Sequence, residues 1–113
     1  WQMMILARAL TQQADIMLLD EPVTGLDIRH QVHIMSTVKR LAAERGISVV
    51  CVLHDLNLAL TYCDQIVLLQ RGNLVAEGAP KDVLTHKLLE EVYGTRLHFI
   101  EADGQTFIFP VMK

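Results

Sequence analysis

The chain has 113 residues, 51% of them hydrophobic and 20% charged, the balance of a folded piece no larger than one ordinary domain and not of a disordered tail. Ten Lys and Arg stand against thirteen Asp and Glu for a net charge of -3, with no block of like charge, which argues against a chain built to coat nucleic acid or an anionic membrane. The longest apolar runs, 3–7 and 49–53, are five residues each, whereas a spanning helix needs about 20. Cys51 and Cys63 show neither the repeated pairing of a disulfide framework nor a Cys/His metal cluster, so both are expected to be reduced and cytosolic.

Residues 1–10 set apolar and small side chains at helical spacing with Arg8 the only charge, but with no initiator Met and no capping residue; the sequence reads as beginning inside a helix, as part of something larger. Ile16, Met17, Leu18 and Leu19, followed by Asp20, Glu21 and Pro22, predict a buried parallel strand with polar groups at its C-terminal end. After Thr24, Gly25 and Leu26, Asp27 suits an N-cap. Ile28, Val32, Met35, Val38 and Ala42 then share one face of a helix of about 18 residues that Gly46 stops. Residues 47–53 are β-branched and apolar and also end in polar groups, His54 and Asp55, so strand, helix and strand predict a right-handed βαβ crossover.

Residues 56–62 predict a short helix, and 65–70 and 74–77 two strands joined through Arg71, Gly72 and Asn73. Pro80 suits a first helical turn, and Leu84, Leu88, Leu89, Val92 and Tyr93 carry an apolar face to Gly94, which predicts a small helical pair. Residues 97–101 and 106–110 flank Ala102, Asp103, Gly104 and Gln105 and predict a terminal hairpin. The expected division is 1–78, an α/β part, and 79–113, a small α+β appendage.

Chemistry concentrates at the C-terminal ends of the two predicted parallel strands, the edge at which open α/β sheets bind ligands. There Asp20 can approach a hydrated magnesium ion bound to nucleotide phosphates, Glu21 can accept a proton from or orient an attacking water, and His54 can donate a hydrogen bond to the terminal phosphate. Each feature alone is more often an ordinary strand end; their joint occurrence in this order is what points to a site. Met3, Met4, Met17, Met35 and Met112 are scattered gap-fillers. His30, His33, His86 and His98 lack ligand spacing with carboxylates, so surface or packing roles are expected of them.

This pattern resembles the ATP-binding cassette (ABC) ATPases. Ile16-Met17-Leu18-Leu19-Asp20-Glu21-Pro22 resembles their Walker B strand with its catalytic glutamate. Thr24-Gly25-Leu26-Asp27 resembles the loop that meets the partner subunit, and Val52-Leu53-His54-Asp55 the switch histidine. Gln2-Met3-Met4-Ile5-Leu6-Ala7-Arg8-Ala9-Leu10 resembles the helix after the signature motif. The resemblance runs from Gln2 to about Gly78. It implies a P-loop NTPase sheet, ATP and magnesium as cofactors, and a head-to-tail dimer with a second ATPase subunit. It also implies transmembrane permease subunits as partners, no nucleic acid, and a peripheral place on the cytoplasmic face of the inner membrane. By the same resemblance Asp20 supports magnesium, Glu21 acts on water, His54 senses phosphate, Asp27 couples the two sites of the dimer, and Gln2 belongs to the nucleotide-binding set.

The Gly-Lys-Ser/Thr phosphate loop, the glutamine loop and the Gly-containing signature do not occur in these residues, so the piece alone is expected neither to bind ATP tightly nor to hydrolyse it. The implied sheet lacks its phosphate-loop strand. Residues 47–53 would then keep an unpaired apolar edge: either the piece associates through it, or further chain not represented in this sequence covers it. The hairpin together with His54-Asp55-Leu56-Asn57-Leu58-Ala59 is similar to the ATPases of bacterial importers for iron siderophores, haem or cobalamin. Two other readings are a soluble ABC ATPase of DNA repair or translation and a degenerate cassette serving only as an interaction module.

Overall fold

The computed structural model describes residues 15–111; the helix expected over 1–10, with Gln2, lies outside them. The residues fall into two compact units, the first ending at His54 and the second beginning at Asp55.

In the first unit, β1 (Ile16–Asp20) runs parallel to β2 (Ser48–Val52), with Ile16 beside Ser48 and Asp20 beside Val52. The link between them is α1 (Ile28–Arg45), the predicted crossover helix. Its start and stop follow from sequence chemistry. Asp27 is the N-cap, its carboxylate accepting from the His30 N–H, and Gly46 at φ 65 closes the helix in the left-handed conformation that glycine adopts without a Cβ penalty. Met17 and Leu19 on one face of the pair, with Val23, Ile34, Met35 and Val38, are buried. On the other face Leu18 is 75% exposed, and Ile16, Val50 and Val52 are exposed with it. Among the described residues β1 and β2 pair only with each other.

The predicted helix face is only partly the buried one. Met35 and Val38 are buried, but Ile28 and Val32 are exposed, and Ile34 and Thr37 take their places. The reason is orientation about the helix axis. Ile34 lies only two residues beyond Val32, but at about 3.6 residues per turn Ile34, Thr37 and Val38 form a stripe turned away from Ile28 and Val32, with Met35 at its border, and that stripe is the buried one.

The second unit starts with α2 (Leu56–Tyr62), then the antiparallel pair β3 (Ile66–Gln70) and β4 (Asn73–Gly78). Next come α3 (Pro80–Val83) and α4 (His86–Tyr93), and finally the hairpin of β5 (Leu97–Ala102) and β6 (Gln105–Pro110). Both hairpins turn on two residues of positive φ, Arg71-Gly72 and Asp103-Gly104, the combination whose twist matches the flanking strands. Ile66 and Leu68 point inward with Val83, Leu84, Leu89, Leu97 and Ile108, and Leu56, Ala59, Leu60 and Phe99 pack against that cluster. Tyr93, expected on the apolar face, is half exposed.

Side chains tie the elements together. Glu90 Oε2 accepts from the Leu97 N–H at 2.8 Å, and Gln70 Nε2 donates to the Val92 carbonyl at 3.2 Å. Asn57 of α2 meets Ile108 of β6 through both ends of its carboxamide. These bonds explain why packing divides the chain at His54, whereas the sequence reading divides it at about Gly78: β3 and β4 share their core with the appendage helices and hairpin. Leu89, at 0% exposure, is the centre of that core. Leu89→Ala is expected to lower unfolding free energy by about 2–5 kcal/mol, read as the shift in a urea transition.

Candidate active site

The parallel register fixes the site. Because Asp20 lies beside Val52, both strands end at the same rim, and the residues that follow, Glu21 on one side and His54 on the other, emerge together. The Glu21 N–H donates to the Val52 carbonyl at 3.0 Å, extending the ladder by one bond past β1. Beyond it, the imidazole Nε2 of His54 and Oε1 of Glu21 are hydrogen-bonded to each other. The His54 side chain is 76% exposed and that of Glu21 38%, so the pair faces outward on the rim and is reachable by a ligand. Asp20, at the tip of β1, is exposed beside it.

Glu21 carries a backbone irregularity. Its φ is 49, in the left-handed region that costs a residue with a Cβ about 1–3 kcal/mol. Its N–H bond to Val52 and the acceptance of the Thr24 N–H by its carbonyl at 3.3 Å hold it there. A turn that only ended a strand would be better served by glycine. Glu21→Gly is accordingly expected to be more stable than Glu21→Ala by about 1 kcal/mol, measured by thermal unfolding, although both remove the carboxylate.

The loop from Thr24 to Asp27 joins this rim to α1. Thr24 and Gly25 are exposed, Leu26 is half-buried and donates its N–H to the Val23 carbonyl at 3.2 Å, and Gly25 has φ 81. Asp27 Oδ1 accepts from the His30 backbone N–H at 2.9 Å and meets His30 Nδ1 at 2.8 Å. These two bonds, the backbone one foremost, hold the Asp27 carboxyl below the usual carboxylate range. A lowered value means that the cap is fully formed above the ordinary Asp pKa and fades as pH falls through the lowered one.

The structure thus brings Asp20, Glu21 and His54 to one rim, as the strand ends predict, and leads from them through Thr24, Gly25 and Leu26 to Asp27; Gln2 lies outside the described residues. His30, expected to have a surface or packing role, is exposed and pairs with Asp27 three residues before it. The signal was present in sequence, since an N-cap acid and a residue at i+3 are neighbours on the first helical turn. His86 packs its ring on Phe99 at 3.9 Å between centroids, a packing role.

No family model matches the chain. Curated relatives do. Petrobactin import ATP-binding protein FpuC of Bacillus anthracis is 39% identical over 93% of this chain and 39% of its own length. Ferric enterobactin transport ATP-binding protein FepC of Escherichia coli K12 is 44% identical over 94% and 40%, and hemin import ATP-binding protein HmuV of Rhodococcus jostii 48% over 93% and 36%. Among solved structures, an inward-facing metal-chelate type ABC transporter superposes on 99% of this chain and 46% of its own with a TM-score of 0.87 at 25% identity. MJ1267, an ATP-binding cassette of an ABC transporter, covers 81% of this chain and 38% of its own with a TM-score of 0.71 at 29% identity. The chain spans about two fifths of the length of these curated relatives. Over nearly all of its own length it is homologous to them, and it belongs to the family of ABC importer ATP-binding subunits.

Proposed function

We propose that this chain is the C-terminal part of the ATP-hydrolysing subunit of an ABC importer for iron chelates or haem. The observation that carries the reading is the Glu21 and His54 pair at the common rim of two parallel strands. In it, Glu21 takes the proton of the water that attacks the terminal phosphorus of ATP, and His54 donates a hydrogen bond to the same phosphate as ADP leaves. The mutual hydrogen bond of the two side chains sets imidazole and carboxylate side by side at the rim, where one phosphate and its attacking water can meet both.

Asp20 fits magnesium, being an exposed, hard oxygen donor at the strand tip. Asp20 would hold the ion through its carboxylate, with its other ligands supplied by groups that these residues do not include. When bound, magnesium neutralises charge developing on the phosphates. These 113 residues contain no Gly-Lys-Ser/Thr loop, so the main grip on the triphosphate comes from elsewhere in the subunit.

Thr24, Gly25, Leu26 and Asp27 face the second ATPase subunit of a head-to-tail dimer, and permease subunits hold the assembly at the cytoplasmic face of the inner membrane. Among the described residues no helix is long and apolar enough to cross a membrane. Importer relatives support this reading over a soluble ATPase or a degenerate cassette; their names also supply the substrate class. The test is uptake of a radiolabelled ferric siderophore or haem into vesicles holding the full-length subunit and its permease. Accumulation that requires enclosed ATP supports the reading, and ATP hydrolysis without accumulation of either compound contradicts it.

A further inference from the structure

Asn57 is the side chain in the second unit whose chemistry is most narrowly specified by what it touches. Its Nδ2 donates to the Ile108 carbonyl at 3.0 Å, and its Oδ1 accepts from the Ile108 N–H at 2.7 Å, so one carboxamide answers both main-chain groups of one β6 residue. Ile108 lies opposite Phe99 in the β5–β6 ladder, and its N–H and C=O are turned away from that partner toward α2. The carboxamide has one donor and one acceptor on a rigid plane, as a peptide unit has, and here it stands in for one residue of a third strand. A carboxylate only accepts, an aliphatic side chain does neither, and a hydroxyl carries both functions on one oxygen, so none of them spans the two main-chain groups as the separate Nδ2 and Oδ1 do. The contact joins residues 51 positions apart and sits beside buried Ile108.

Asn57 is also bound at its main chain. Its N–H donates to Asp55 Oδ1 at 2.8 Å, and the Leu58 N–H donates to the same oxygen at 3.2 Å, so Asp55 caps α2 and Asn57 lies in its first turn. Asp55 is the residue after His54. The backbone leaving His54 therefore enters a turn whose N-terminus is capped by Asp55 and whose side is pinned to the terminal hairpin by Asn57.

We propose that Asn57 is a positioning residue for His54: it anchors the first turn of α2 on the β5–β6 hairpin and so limits the backbone conformations available to the histidine that precedes the turn. The hairpin thereby gains a part in turnover although it carries no reacting group. The inference rests on the reading of His54 as the phosphate-facing residue. It predicts a loss in the chemical step, because misplacing one hydrogen-bond donor harms the transition state more than ground-state binding.

The test is a double-mutant cycle in the full-length subunit assembled with its permease, assayed below the thermal midpoint of every variant. Asn57→Ala is expected to lower kcat roughly tenfold with KM for ATP within about twofold. In the His54→Ala background the same substitution is expected to change kcat by less than about twofold, since a residue acting through His54 has nothing left to act on. Asn57→Asp keeps the volume and the acceptor but sets an oxygen against the Ile108 carbonyl. It should give an intermediate loss, and it carries the comparison if Asn57→Ala does not fold. Equal losses in both backgrounds, or a lowered thermal midpoint with kcat intact, would overturn the proposal. If His54→Ala alone leaves turnover unchanged, the phosphate-facing reading itself falls and this inference with it; if His54→Ala is severe and Asn57→Ala silent, only this inference falls.

Discussion

Glu21→Gln in the full-length subunit should leave ATP affinity within about twofold while turnover falls by about 10²–10⁴-fold, the usual contribution of a positioned general base. The amide has nearly the volume of the carboxylate and keeps an oxygen where Oε1 meets His54, so the rim and the left-handed backbone at φ 49 are retained. What the variant loses is the capacity to take up a proton. Equilibrium binding of a labelled nucleotide together with single-turnover hydrolysis separates the two effects. A variant that hydrolyses at the wild-type rate removes Glu21 from the chemistry and leaves its unusual backbone without a functional reason.

His54→Ala should also cut turnover, by about 10²–10³-fold, the cost of removing one donor aimed at charge that develops in the transition state. The effect on binding should be much smaller, because the phosphate loop that these residues lack would supply the main ground-state grip. The two substitutions should not add. Glu21 and His54 hydrogen-bond each other, and residues that act as a unit lose most of their effect with the first removal. A pure loss of affinity in His54→Ala, measured as raised KM with kcat intact, would contradict a phosphate-sensing role.

Local chemistry made much of this legible in sequence. Asp27 and Gly46 bracket α1 because a side-chain acceptor and a residue free of Cβ are what helix ends require. The Arg71-Gly72 and Asp103-Gly104 turns set the two hairpins in the same way, from within four residues. The convergence of Glu21 and His54 was readable from two apolar runs that each end in polar residues, since parallel strands joined by a crossover helix must end on the same side. The less legible features depend on partners remote in the chain. Ile28 and Val32 look like core but lie exposed, because which side of the helix is buried is set by what packs on it and not by their own periodicity. The left-handed backbone at Glu21 and the clasp of Asn57 on Ile108 leave no local mark, as glutamate does not advertise a positive φ and Asn57 reads as an ordinary helix residue. The pairing of His30 with Asp27 lay within one turn and needed only the i, i+3 geometry to be applied.

The most direct test of the site is a structure of the full-length Glu21→Gln subunit with ATP and magnesium bound. The expected result has His54 Nε2 released from residue 21 and within hydrogen-bonding distance, about 2.7–3.2 Å, of a terminal phosphate oxygen. A water should stand between that phosphate and the side-chain amide introduced at position 21, with the Asp20 carboxylate turned toward magnesium. Triphosphate bound away from the ends of β1 and β2, with His54 and residue 21 still joined and remote from it, would contradict the account.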